Sequence, residues 1–420
     1  MINSAGRETR PRVLIFHGNM RNLGGGEAVC AWVLQALKDS YGLTVLTWDS
    51  AGAEELNRVF GTTLAPEDFR VERPSPVVSF AFNLLARWRR KHEFQKMALL
   101  YRIARRRARH YAVCISTYDE IDFGRPGIQY VHFPGLLELK ARSEPPRAAR
   151  SGEGRSGRRW RRFRSAFQPW RLLSGFSFDG VERNMTLVNS RFTGESFRTV
   201  YGISGRVVYP PVHEVEAHTP WEARGNDFVC VGRLIPSKRI DTIIAMLAAV
   251  RACGHDVRLH VVGMSWKRAT ERRLYEDIEQ LVAANASWVT LHADVSRAAL
   301  EHIMGTCRYG IHAQVSEPFG IAPAEMVKAG CITFTGAVGG QTEIVGGDPR
   351  LVLDSVEDGI SKIDDVLTSP SLQRELREML AGRAKLFTIE RFMTEIRAAV
   401  SEFSCGPDAL AADVEQVGVS

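Results

Sequence analysis

Two apolar periods alternate along this chain. Short runs dense in Val, Ile, Leu and Phe, such as RVLIFH at 12–17, YAVCIS at 111–116, IQYVH at 128–132 and FVCVG at 228–232, are apolar on both faces and predict strands buried in a parallel sheet. After the first of them a glycine turn at 24–26 leads into a helix at 27–38, and a second strand at 43–48 completes a β-α-β unit. A helix is predicted over 87–110, with Leu99, Leu100 and Ile103 as its apolar stripe and arginines elsewhere. Short strands follow at 186–189 and 207–210. Beyond Pro210, Pro211 and the polar stretch to Asn226 the alternation resumes. Strands begin near Phe228, Val257, Val289, Tyr309 and Ile332, and helices near Asp241, Ala269, Arg297, Ile321 and Thr342. The fold class is therefore α/β, doubly wound.

A chain of 420 residues is too long for one ordinary core and comfortable for two. The pattern divides it into a first domain at 1–212, a linker at 213–226, a second domain at 227–387, a last helix at 388–404 and a tail at 405–420. Within the first domain, 141–169 is rich in Arg, Ser, Gly and Pro, loses periodicity and reads as a mobile insertion. Seven scattered cysteines without a C-x-x-C pair predict reduced thiols, no structural metal and a cytoplasmic chain. The amino terminus lacks the apolar segment of a signal peptide, and no apolar run reaches the ~20 residues that span a bilayer.

The net charge of +7 is local in origin. Residues 87–171 hold 22 Lys and Arg against 7 Asp and Glu, so the remainder is acidic. Trp88, Phe94 and Tyr101 interleave the first arginines, and Trp160, Phe163, Phe167 and Trp170 the second group. The segments 87–110 and 141–171 are therefore expected to lie peripherally on an anionic membrane surface. Nucleic-acid binding, or a merely solubilising face, are the alternatives.

Candidate chemistry concentrates in the second half. In SEPFGIAPAEMVKAG, Glu317 stands at a strand end, Gly320 makes a turn, and the helix that follows carries Glu325. Unpaired N–H groups at the helix start, those of Gly320 and Ile321 foremost, offer an anion site, and a carboxylate accepts two hydroxyls at once. Upstream, VGRLIPSK places Arg233 and Lys238 just beyond a strand, where open α/β sheets bind ligands. A guanidinium fork and a mobile ammonium together suit a diphosphate. An anion joined to a polyol, a nucleotide sugar, fits the whole set. His132 in YVHFPG is a further candidate, with His17 and Asn19 weaker ones. Gly25 and Gly26 allow close backbone approach to an anion, but Val29 occupies the last glycine position of a G-x-G-x-x-G fingerprint, which argues against a nicotinamide or flavin enzyme. Each feature also has a plainer reading: solvated acids on a capped helix, surface cations, a backbone-satisfied histidine, a tight connection.

Taken in order, LGGGEAV at 23–29, YVHFPG at 130–135, VNSRFT at 188–193, VVYPPV at 207–212, VGRLIPSK at 231–238, the glutamate pair and GGQTEIV at 339–345 resemble the retaining glycosyltransferases of family 4. The likeness runs from about 12 to about 403, apart from the basic middle stretch. It implies a GT-B architecture, two Rossmann-like domains facing across a cleft with the C-terminal helix crossing back to the first. It assigns Glu325 to the ribose, Glu317 and His132 to the donor sugar, and Arg233 and Lys238 to the leaving diphosphate. Gly320 and Ile321 would meet the phosphates, and Gly339, Gly340 and Glu343 would complete the pocket. It also implies hexosyl transfer with retention by front-face displacement. The chain contains no Asp-x-Asp pair, so neither a metal nor another cofactor is expected. YVHFPG and VYPPV further resemble the lipid-linked oligosaccharide mannosyltransferases, which places GDP-mannose narrowly ahead of UDP-sugars and implies a glycan or lipid-linked acceptor. The rival classes are a catalytically silent GT-B binding module and an RNA-associated basic protein.

Overall fold

The computed structural model describes residues 10–75, 92–136, 170–215, 219–264 and 272–406, without the side chains of 92–95 and 272–274. The expected insertion at 141–169 and the start of the 87–110 helix lie outside them, as do Trp88, Trp160, Phe163, Phe167 and the side chain of Phe94. The chain divides into two compact units, one comprising Met1–Pro211 with Glu390–Ser420 and the other Val212–Ile389.

In the first unit the described residues form a seven-stranded parallel sheet: β1 (Arg12–Phe16), β2 (Gly42–Leu46), β3 (Phe69–Glu72), β4 (Val113–Ser116), β5 (Ile128–Val131), β6 (Met185–Val188) and β7 (Arg206–Val207), in the order 3-2-1-4-5-6-7. β4 and β5 are buried along their whole length, as two-sided apolar runs in a parallel sheet require. Winding reverses between β1 and β4, where Phe16 pairs with Ser116. That reversal opens a crevice beyond the carboxyl ends of the strands.

Three expectations change here. The first helix is Gly25–Leu37, so Gly25 and Gly26 make its opening turn instead of preceding it. Gly24 is the cap, and its N–H donates to Glu27 Oε2 at 2.9 Å. In the basic helix His92–Arg107 the buried residues are Ala98, Leu100, Tyr101 and Ala104, continued by Ala108; Leu100 is buried as expected, while Leu99 and Ile103 are only half-buried. Small residues at that spacing let the helix lie close to the sheet. Lastly, Tyr101 and Trp170 are not membrane anchors. Tyr101 stacks on Phe16 at 5.3 Å and Trp170 meets Tyr101 edge-on at 5.9 Å, both within the core. Rings of this size stabilise a core by burying 150–250 Å² each. The apolar groups that do reach solvent beside them are Leu172, 76% exposed, and Leu173, 40%.

The second unit repeats the winding with β8 (Gly225–Val231), β9 (Arg258–Gly263), β10 (Val289–Ala293), β11 (Cys307–His312), β12 (Ile332–Gly336) and β13 (Val352–Leu353), in the order 10-9-8-11-12-13. Its switch point lies between β8 and β11. The segment leading into β8 packs within this unit. Val212 N donates to Phe387 O at 3.2 Å, and the buried Arg224 donates to the carbonyls of Cys307 and Ala329. The last helix, Ile389–Cys405, belongs to the first unit from Glu390 onward. Phe392 meets Tyr130 edge-on at 6.1 Å, Arg397 Nε donates to Ala36 O at 2.9 Å, and Arg206 pairs with Glu402 at 2.7 Å.

Candidate active site

In the second unit the strand ends at the switch point carry the chemistry. Gly232 follows β8, and a Cβ there would lie 2.9 Å from Lys238 Cε, so the glycine leaves room for the lysine to fold back over the strand end. The turn Pro236–Lys238 returns the chain, and Lys238 Nζ donates to Glu317 Oε2 at 3.1 Å. His312, the last residue of β11 and 1% exposed, brings its Nε2 to 3.5 Å from the same oxygen. Glu317 Oε1 has no partner among the described residues. Burial alone would raise the Glu317 pKa, but His312 and Lys238 outweigh it and hold the carboxyl at about 2. Burial keeps His312 below its ordinary value, Lys238 adding to the effect and Glu317 opposing it. The result is a permanently ionised acid with one oxygen anchored and one open.

Glu317 is also fixed through its backbone. Gly340 N donates to Glu317 O at 2.8 Å, and Ser316 N to Val338 O at 3.1 Å. A Cβ on Gly339, at φ +122°, would stand 2.2 Å from Glu317 O. The GG pair therefore lays one loop against the other, whatever it contributes to a ligand.

The helix Ile321–Lys328 starts at Gly320, in left-handed conformation at φ +102°. Its opening N–H groups, including that of Ile321, have no helical acceptors. Glu325 lies one turn along, 5% exposed, and its Oε1 accepts from Arg297 Nη1 at 2.5 Å. Oε2 has no partner among the described residues. Burial raises the Glu325 pKa, with Arg297 opposing. Arg233 is exposed in the loop beyond β8. The structure thus joins Lys238 and Glu317 directly, gives Glu325 a separate cation and leaves Arg233 at the surface of the same strand-end region. His312 and Arg297 were not anticipated. A histidine closing the strand before Glu317, and an arginine directly after the N-cap Ser296, were the available signals.

In the first unit His17, Thr117 and His132 meet at the ends of β1, β4 and β5. His132 Nε2 lies 3.1 Å from Thr117 O, and a carbonyl only accepts, so Nε2 carries the hydrogen and Nδ1 is an acceptor. Burial lowers the His132 pKa and so favours the neutral ring, with Asp119 opposing. A Cβ on Gly26 would sit 3.6 Å from His132 Nε2, which places the helix start against the imidazole. His17 Nδ1 contacts Thr117 Oγ1 at 3.0 Å, while Asn19 Oδ1 accepts from Arg21 N and closes a turn. Two further acids hold the loop bearing His132. Asp119 Oδ1 accepts from the N–H groups of His132 (2.8 Å) and Phe133 (3.1 Å). Glu120 accepts from those of Gly135 (2.9 Å) and Leu136 (3.3 Å).

Residues 213–386 match the family model described as glycosyl transferases group 1. The match is confined to the second unit, Val212–Ile389. A curated GDP-Man:Man(3)GlcNAc(2)-PP-Dol alpha-1,2-mannosyltransferase of Candida glabrata is 25% identical over 186 residues, 41% of this chain and 36% of that protein; the match thus spans about a third of the relative's length. Among solved structures, Anabaena HepE in complex with UDP and glucose superposes with a TM-score of 0.62 at 15% identity, covering 94% of this chain and 100% of that one. Sucrose-phosphate synthase of Thermosynechococcus elongatus gives 0.63 at 15% identity over 94% and 100%. WaaG, a glycosyltransferase involved in lipopolysaccharide biosynthesis, gives 0.60 at 16% over 91% and 99%. These superpositions establish the fold, which is GT-B.

Proposed function

We propose that the chain is a retaining glycosyltransferase that moves a hexosyl group from a nucleoside diphosphate sugar to a glycan or lipid-linked acceptor. One observation carries the reading. At the switch point of the second unit, Glu317 and Glu325 each commit one oxygen to a cation and leave the other open. Such carboxylates are oriented before any ligand arrives, so little reorganisation opposes binding a polyol. In this reading Glu317 meets hydroxyls of the donor sugar and Glu325 those of the ribose. Lys238 and Arg233 stabilise negative charge on the leaving diphosphate, with the N–H groups of Gly320 and Ile321 adding to them. Positive charge supplied by side chains supports a reaction that needs no metal. His132, neutral with Nδ1 open, is suited to accept a hydrogen bond from a sugar hydroxyl. Retention proceeds by front-face displacement, the departing phosphate taking the acceptor's proton. The name of the Candida relative favours mannose and GDP; the HepE complex with UDP keeps UDP-sugars in contention.

The test is binding and turnover together. Glu325→Ala is expected to weaken nucleoside diphosphate binding at least tenfold, the loss of a charge-assisted hydrogen bond. Lys238→Ala is expected to lower kcat about a hundredfold with a smaller effect on binding. Unchanged affinity and turnover in both variants would defeat the assignment. Thermal shifts with GDP, UDP and their sugars would identify the donor, since a tight ligand raises apparent stability by mass action.

A further inference from the structure

Arg297 opens the helix Arg297–Thr306, just beyond β10. Ser296 caps that helix, its Oγ accepting from Ala299 N at 3.2 Å, which fixes the turn from which the guanidinium projects. The guanidinium divides its donors. Nε gives its hydrogen to Glu301 Oε1 at 2.6 Å and Nη1 to Glu325 Oε1 at 2.5 Å, while Nη2 is buried with no hydrogen-bond partner. A bridge whose only task is to tie two helices is complete with the first two bonds. A third donor withdrawn from water and left unmatched is a cost that such a role does not explain. Across the same ion pair, Glu325 Oε2 is an unmatched acceptor. One open donor and one open acceptor therefore flank a single charge pair. Two vicinal hydroxyls satisfy both, one donating to the carboxylate and the other accepting from the guanidinium.

We infer that Arg297 reads the ribose of the donor nucleotide together with Glu325, as a two-residue recognition site for the cis-diol. The inference rests on the assignment of Glu325 to the nucleotide, and it adds a specificity-determining residue that contacts the ligand. Charge alone is not enough for this task, because a lysine offers no planar fork to bond Glu325 and a hydroxyl side by side.

Isothermal titration of the full chain with GDP and with 2′,3′-dideoxy-GDP, or the UDP pair if GDP does not bind, tests it. The wild type is expected to prefer the ribonucleotide by about tenfold or more. Arg297→Met is expected to bring the two affinities within about twofold of each other, losing affinity for the ribonucleotide while binding the dideoxy form nearly as before. Arg297→Lys is expected to recover only part of the preference, and it carries the test if the methionine variant does not fold. An Arg297 variant that keeps the wild-type ratio, or that loses both nucleotides equally, overturns the inference and leaves a plain helix bridge. A wild type that binds neither nucleotide overturns the donor-site reading as well.

Discussion

Glu317 and Glu325 differ in how their charge is held. Glu317, with Lys238 and His312 on one oxygen, has a pKa depressed to about 2. A carboxyl more acidic in the folded state than its ordinary value near 4.5 adds stability above that value and loses it as pH falls toward 2. The shift corresponds to on the order of 3 kcal/mol. Glu317→Gln should therefore flatten the acid limb of stability against pH between about 4.5 and 2, measured by urea midpoints, and leave the neutral range less affected. An acid limb identical to that of the wild type would show that the ion pair does not contribute. That Lys238 and Glu317 each stand just beyond a strand end was readable from residue types and positions; their direct pairing was not. The partition of oxygens was not, because it depends on His312 and Arg297, which reach the acids through folding and not through any motif.

At the level of elements, the two loops beyond β11 and β12 behave as one piece. Glycine at 339 is required by the Glu317 carbonyl, which a Cβ would approach to 2.2 Å. Gly339→Ala should displace Glu317 and lower turnover at least tenfold. In the same variant thermal stability should fall by a few kcal/mol, since φ at this position is +122°. Activity and melting temperature both at wild-type values would dismiss the coupling. The two-sided strands β1, β4, β5 and β8 were legible because their apolar runs are continuous. β3 was not, since FRVE buries only Phe69 fully and carries charge at two of four positions. The helices Val356–Thr368 and Pro370–Ala384 also went unpredicted, although Ser355 and Ser369 accept from Asp358 N and Leu372 N as ordinary N-caps. The aromatic residues of the basic region misled in the other direction. Composition cannot tell a ring at the surface from one beneath it, and Tyr101 and Trp170 are beneath it.

For the whole molecule, Leu172 and Leu173 stand exposed beside Arg102, whose Nη1 donates to Leu173 O at 3.0 Å, and among the described residues no helix is long and apolar enough to cross a membrane. If the acceptor is lipid-linked, the chain should co-sediment with anionic vesicles in a salt-sensitive manner, and Leu172→Glu with Leu173→Glu should release it. Equal partition to neutral and anionic vesicles would remove the membrane from the picture. Removing residues 390–405 uncovers the face on which Phe392, Ile396, Ala399 and Val400 are buried, so the first unit should melt several degrees lower while nucleotide-induced stabilisation of the second persists. Coincident loss of both would mean that the units do not melt separately. The same helix has a bearing on biosynthesis. Because the first unit is completed by residues that follow the second unit in the chain, a nascent chain carries the second unit whole while the Tyr130 side of the first still waits for its cover.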